Sequence, residues 1–479
     1  MPPLNTFQRG CVAVAVSQAI ALPLQAATIT VTSNADTSGT NANICTLRDA
    51  VTAANEDAQV IGSSCTRGNG DDTIEFSSFL SNQTITLSGS ALPPIESTIT
   101  INGSGRDQTE INGGGNRIIF IDSQLANLTL DALTLTGGED SRGGLIYAND
   151  PLTITNSAVS GYIYAGGSST LTLTDTTVSG SSLSINNGAS LSMTDSTVSG
   201  SNLSINDGES LSMTDSTVSG SSLSISYIRE SGSATLTNIT VSGSGGVGIY
   251  ATDANVTLVN STVSGSGGDG ISSRNANVTL TNSTVSANSG SGIVARGGTV
   301  TLLNSTLSDN SSFYNGGGIS ATTRASVTLL NSMVSGNSAP NTGSEIFAQS
   351  DSPLTLNNSL VGHSGVTLNE ALSGYLPNST NIVATMDGNA PTPLADILSP
   401  LADNGGPTQT HGLPVESPAI NAGDNATCQS TDQRGEARLN NTSDQCDIGA
   451  FEGALEPEEP DTSFFVVPLP NGRTVIFGL

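Results

Sequence analysis

Arg274 and Arg296 recur in one phrase, G-I-S-S-R-N from Gly270 and G-I-V-A-R-G from Gly292, so a regular fold would bring their guanidinium groups into one column. Such a column, beside exposed tyrosines, could dock a sugar chain or a protein partner. Tyr147, Tyr164 and Tyr250 fall at the matching outward position of the phrase I-Y-A. Exposed tyrosines there give a stacking face for a sugar or a protein side chain, although strand propensity alone also favours tyrosine at such places. Asp175, Asp195 and Asp215 are spaced 20 residues apart. Bare carboxylates stacked roughly 4.8 Å apart repel, and a calcium ion, solvent or backbone amides would each relieve them. The two histidines are His363, in G-H-S-G, and His411, for which a structural role is expected; no catalytic residue is expected.

Composition removes other chemistries. All 13 basic residues are arginine, so no lysine is present for a Schiff base or a phosphate loop. A formal charge of -28 with a pI near 4.1 denies the chain the basic footprint that nucleic acid or an anionic membrane surface requires. No apolar run reaches the 18 or so residues of a membrane-spanning helix. Only 11% of residues are charged, where about a quarter is usual. Serine, threonine, asparagine and glycine take their place, and these favour strands and turns over helices.

The elements that must position the candidates follow from a repeat. From residue 130 onward a threonine or similar residue, then Val or Leu, then a small residue recur as T-V-S-G or a near copy. The apolar member falls at Leu135, Val159, Val178, Val198, Val218, Val241, Val263, Val285, Leu307, Val334 and Val361, at intervals of 19 to 27 residues. Self-similarity at this period marks a solenoid. A clean rung from Gly248 reads G-I-Y-A-T-D-A-N-V-T-L-V-N-S-T-V-S-G. Its three alternating runs, I-Y-A, V-T-L and T-V-S, are separated by corner residues. Three strands per turn predict an all-β fold, a right-handed, single-stranded, three-sided parallel β-helix over residues 72 to 375. Leucine-rich repeats would need a leucine-dense half, and propeller blades twice the length.

The residue three before each anchor is Asn156, Asp175, Asp195, Asp215, Asn238, Asn260, Asn282, Asn304, Asn331 and Asn358, with Ala132 the one exception. Asn and Asp tolerate the left-handed backbone of a sharp corner, and stacked amides are expected to bond along the column. Residues 171 to 230 form three nearly identical units. Repeat number is free to vary where each rung touches only its neighbours, which suits a spacer or adhesin better than an enzyme with one cleft.

The ends differ from the repeats. Residues 1 to 27 carry Arg9, an apolar run from Cys11 to Leu24 and small residues at Ala26 and Ala27, the pattern of a secretory signal peptide. Its removal leaves Cys45, Cys65, Cys428 and Cys446, for which three pairings exist. Bonded cysteines need α-carbons within about 7 Å, whereas the solenoid is a rod some 50 Å or more long. Cys45 is therefore expected to join Cys65, and Cys428 to join Cys446, unless the C-terminal part folds back along the solenoid.

The segment C-T-L-R-D-A-V-T-A-A-N from Cys45 has a capping-box-like start at Thr46 and Asp49 and one apolar face, so a short helix can close the first rung. It resembles the C-S-L-R-E-A segment of secreted bacterial proteins with a CSLREA-type N-terminus. Near the other end, P-L-A-D-N-G-G-P-T-Q-T-H from Pro400, S-P-A-I-N-A-G-D from Ser417, D-Q-R-G from Asp432 and C-D-I-G-A-F-E from Cys446 resemble, in order, the choice-of-anchor Q type domain. The resemblance implies a secreted or surface bacterial β-helix protein whose C-terminal segment precedes an anchoring or sorting element. It brings no catalytic residue. The expected organisation is a signal peptide at 1–27, an N-terminal cap at 28–71, repeats at 72–375, a choice-of-anchor type domain at 376–453, and an acidic linker with a hydrophobic hairpin tail at 454–479.

Right-handed β-helices include polysaccharide-cleaving enzymes. A hydrolase resembling polygalacturonase would need a G-H-G segment and an R-x-K segment, and the second cannot occur without lysine. A pectate-lyase-like site would need calcium-binding carboxylates beside its arginine, and the rung pattern places no acidic cluster with Arg274 and Arg296. The expected function is a secreted or surface-associated adhesin, binding or structural protein, without catalysis or cofactor, whose partner is a cell-surface glycan or protein. The alternative is a polysaccharide lyase or hydrolase.

Overall fold

A computed structural model describes residues 26–138, 144–180, 182–200, 202–228, 233–438, 445–455, 464–468 and 474–478. The expected signal peptide lies outside the described residues, apart from its last two.

The chain winds into a right-handed parallel β-solenoid. Its T-V-S face is a 14-stranded sheet running from Gln83–Thr86 to Ile382–Val383. The I-x-A and V-T-L faces merge into one 23-stranded sheet, because Ile271–Thr281 and Ile293–Leu303 each run unbroken around a corner. Inward residues stack in register. Val198, Val218, Val241, Val263 and Val285 form one column, and each is fully buried. Alternation does the rest, so Ile249, Ala251, Val256 and Leu258 also face the core while Thr257 faces out.

Stacking extends past the expected limits of 72 and 375. Thr28–Val31 pairs in parallel with Asp72–Phe76, and Leu360–Val361 pairs with Ile382–Val383. The helix Leu47–Glu56 buries Leu47, Ala50, Val51 and Ala54, as its sequence predicts. Thr46 caps it by accepting from the Asp49 amide, but the Asp49 carboxylate turns away to Ser38 and Gly39, so the capping box is half made. Arg48 ties the helix down through Asp36 and the carbonyl of Ser90.

The corner column takes the left-handed conformation throughout, including Ala132 at φ 54°. Position therefore imposes the conformation even where the residue does not favour it. The corner amides bond along their column in part, Asn282 donating to Asn260 Oδ1 at 3.3 Å and Asn238 to Asp215 Oδ1 at 2.9 Å, and a second ladder is carried by the next residue. The amide of Ser261 donates to Ser283 Oγ at 3.2 Å, that of Ser283 to Ser305 Oγ at 3.2 Å, and that of Ser305 to Ser332 Oγ at 3.1 Å. Each hydroxyl in turn donates to a carbonyl two residues back, which leaves no unmet polar group along this buried line.

Beyond the last rungs the chain folds back. Residues within 398–438 and 445–453 lie against the T-V-S face of the rungs containing Asn260, Asn282, Asn304 and Asn331. A second small core forms there from Met333, Leu360, Ile397, Leu398, Leu413, Ile448 and Phe451. The disulfides are Cys45–Cys65 and Cys428–Cys446. The geometric premise behind that pairing needs correction, because Cys428 lies beside Asn304, part-way along the rod. Phe464–Pro468 and Thr474–Gly478 pair as an antiparallel hairpin.

Candidate functional site

The I-x-A face carries the candidate residues as two separate groups. Toward the N-terminus, Phe120, Tyr147 and Tyr164 stack with ring centroids 5.3 and 4.8 Å apart. Arg117 lies 5.3 Å from the centroids of both Phe120 and Tyr147. Asn149 donates to the Tyr147 hydroxyl at 3.1 Å, and Asn187 to that of Tyr164 at 2.9 Å. Sequence reasoning reached the two tyrosines and missed Phe120 and Arg117. The phrase I-F-I at Ile119–Ile121 was the available signal, since it occupies the register of I-Y-A one rung earlier.

Tyr250 does not join that stack. Ser184, Ser204 and Ser224 occupy the three intervening rungs, which puts Tyr250 roughly 19 Å from Tyr164 along the axis. It borders instead a groove of about 460 Å³ lined also by Ser272, Arg274, Asn275, Arg296 and Thr323. Arg274 and Arg296 are direct cross-strand partners, as their shared phrase predicts. Their exposure is set by the corner at Asn275 and Gly297, whose left-handed backbones turn the chain there and leave both guanidinium groups in solvent. Neither has a hydrogen-bond or ion-pair partner among the described residues, whereas Arg48, Arg106, Arg434 and Arg438 each pair with a carboxylate.

A second hollow of about 310 Å³ continues from Arg296 and includes Asp269, Val294, Phe313 and Tyr314. The rung spacing lengthens to 27 residues after Leu307. The added loop holds Phe313 and Tyr314 out, 72% and 77% exposed. Burial pushes the Asp269 carboxyl above its ordinary range, opposed by a 3.0 Å hydrogen bond from the Ser291 amide and by the nearby Arg296 charge. The sequence pattern gave no cue to Asp269, because it precedes Gly270 on a corner rather than on a strand.

The other candidates lie elsewhere. His363 is half-buried, its Nδ1 accepting from the Gly365 amide, and burial depresses its basicity. His411 is buried under the C-terminal segment between the Ser399 carbonyl at 2.6 Å and the Ser286 hydroxyl at 2.8 Å. Asp175, Asp195 and Asp215 are exposed at the corner. Arg106 pairs with Asp175 at 2.9 Å, and Asn238 donates to Asp215 at 2.9 Å, so their repulsion is offset at both ends of the column. Among the described residues no group of three or more His, Cys, Asp or Glu side chains is placed to hold a metal ion. No helix among them is long and apolar enough to cross a membrane.

No curated protein matches the sequence. Solved structures that are similar include the A-module of mannuronan C-5 epimerase AlgE6 from Azotobacter vinelandii, at 15% identity over 60% of this chain and 90% of that one, with a TM-score of 0.39. Tailspike protein 3 of bacteriophage CBA120 is similar at 10% identity over 64% of this chain and 57% of that one, with a TM-score of 0.41. The catalytic unit of a GH87 α-1,3-glucanase from Streptomyces thermodiastaticus is similar at 14% identity over 68% and 65%, with a TM-score of 0.32. Residues 223–382 match the family described as the right-handed β-helix region.

Proposed function

We propose that the protein is an exported, surface-associated β-helix that binds a carboxylate-bearing partner, a glycan or an acidic protein segment, along its I-x-A face without turning it over. The observation that carries this reading is the pair Arg274 and Arg296, adjacent in register, beside Tyr250 and without a hydrogen-bond or ion-pair partner among the described residues, in a chain of net charge -28. An unpaired cationic column on a strongly acidic surface is where an anionic ligand gains most over the rest of the molecule. The two disulfides support export to an oxidising compartment. The reading requires no cofactor.

The test is a binding screen of the purified chain against acidic and neutral glycans, followed by Arg274→Ala and Arg296→Ala. Acidic ligands should be retained and neutral ones not, and the double variant should bind at least tenfold more weakly. Chelating calcium should leave binding unchanged, because Asp175 and Asp215 are already partnered. Equal binding by parent and double variant would sink the proposal.

The alternative, a polysaccharide lyase or hydrolase, is favoured by one observation, the raised Asp269 carboxyl beside Arg296. Product release from an acidic polysaccharide that vanishes in Asp269→Asn would establish it in place of the binding reading.

A further inference from the structure

The C-terminal segment docks on only part of a face that repeats along the whole solenoid, which poses the question of what fixes its place. Its contacts converge on the corner side chains. Asn282 donates from Nδ2 to the Thr431 carbonyl at 2.8 Å and accepts from Arg438 Nη2 at 3.2 Å. Asn304 accepts from the Gln429 amide at 3.1 Å and donates to Cys428 Sγ at 3.4 Å. Asn331 accepts from the Asp424 amide at 2.8 Å and donates to the Asp424 carbonyl and to Thr427 Oγ1, both at 3.1 Å. Each amide uses both its donor and its acceptor, and all three side chains are buried.

The equivalent corners of the uncovered rungs are Ala132, Asn156, Asp175, Asp195, Asp215 and Asn238, and the three consecutive aspartates are all exposed. The backbone does not explain the change of residue, since φ is 44°, 49° and 48° at these aspartates and 46°, 46° and 47° at the three asparagines. What differs is the side chain. A carboxylate can accept but not donate, and one buried at Asn282 or Asn331 would set its charge against the Thr431 or Asp424 carbonyl oxygen with no hydrogen bond to join them.

We infer that the corner asparagines Asn282, Asn304 and Asn331 are positioning residues that select the docking frame of the C-terminal segment, a frame that the aspartate corners of residues 171 to 230 do not offer. The near-identical units of residues 171 to 230 then lie where gaining or losing a unit offers the segment no competing frame. Repeat number can drift in one half while the docked half keeps its geometry.

Trypsin reads the docking directly, because the chain has no lysine and Arg434 and Arg438 lie inside the segment, Arg438 fully buried. Asn282→Asp/Asn304→Asp/Asn331→Asp should be cut at these two sites at least tenfold faster than the parent at pH 7, with the strand dichroism of the solenoid unchanged. Hydrogen-exchange protection of residues 424 to 433 should return at pH 4, where a protonated carboxyl again donates. Deletion of residues 192 to 211 should leave the cleavage rate within twofold of the parent. If the triple asparagine variant does not fold, Asn331→Asp alone is read in the same way. Parental resistance in the aspartate-substituted chain, failure of protection to return at pH 4, or exposure of Arg434 and Arg438 after the deletion would each overturn the inference.

Discussion

Thr197–Ser199 and Thr284–Ser286 are the same tripeptide, T-V-S, at the same place in their rungs, and they live in different surroundings. In the first, Val198 is buried while Thr197 and Ser199 remain partly in water. In the second all three residues are buried, because the segment after residue 398 covers them. Thr284 Oγ1 donates to Gln433 Oε1 at 2.7 Å, and Gln433 Nε2 donates to Thr262 Oγ1 and Thr408 Oγ1, both at 2.8 Å. A small polar outward residue is thus compatible with solvent and with a polar protein partner alike. Local sequence decides that a strand forms and which side chain points in; a segment some 150 residues later decides whether the other side is dry.

The comparison can be broken most forcefully at its buried charges. Arg438 and Glu452 form a pair at 3.0 Å with side chains 0% and 4% exposed. Arg438→Ala leaves that carboxylate buried and should cost about 3 to 5 kcal/mol in denaturant unfolding. Arg106→Ala breaks the exposed pair with Asp175 in the uncovered half and should cost less than about 1 kcal/mol. Equal costs would mean that the covering segment adds little burial.

Acidity separates the halves next. Inside the covered half Asn288, Asn310 and Asn337 hydrogen-bond in series, and the series ends on Glu345, which accepts from Asn337 Nδ2 at 2.7 Å and from the Gly336 amide at 3.0 Å. Burial raises Glu345 to about 8 from an ordinary value of 4.5. The folded chain therefore holds this proton more tightly than the unfolded one. Its contribution is fully present below about pH 4.5 and is lost as pH rises through about 8, on the order of a few kcal/mol in all. Glu110, on the uncovered half, is shifted the other way, lowered by hydrogen bonds from Thr136 and Thr84. Denaturation followed from pH 5 to 9 should show falling stability in the parent and a flatter profile in Glu345→Ala.

The finest test changes one hydroxyl. Thr284→Val should cost about 1 to 3 kcal/mol by stranding Gln433 Oε1, while Thr197→Val should stay within about 0.5 kcal/mol. Thermal melts of the two variants beside the parent would resolve the difference.

These contrasts also show what was legible beforehand. The anchors from Leu135 to Val361 and the left-handed corners could be read because both are local, one set by alternation and the other by backbone sterics. The folding back of the C-terminal segment was not, although a trace exists in the outward column of the T-V-S face. There Thr306 gives way to Met333, Leu360 and Ile382, and these apolar outward positions form part of the second core. At the candidate site, the Arg274 and Arg296 column followed from period alone. Asp269 and the Phe313–Tyr314 loop did not, because they sit on corners and in an insertion, where the period is interrupted.

The covering segment has a mechanical consequence. A solenoid whose rungs touch only their neighbours yields one rung at a time when pulled, since no contact spans a break. Here one continuous stretch of chain binds the rungs of Asn260, Asn282, Asn304 and Asn331 and is itself stapled by Cys428–Cys446. Those rungs can part only together. Under tension along the axis the molecule is a stiff block joined to a compliant ladder, which would lengthen in small steps near Asp175, Asp195 and Asp215 while Arg274 and Arg296 keep their spacing.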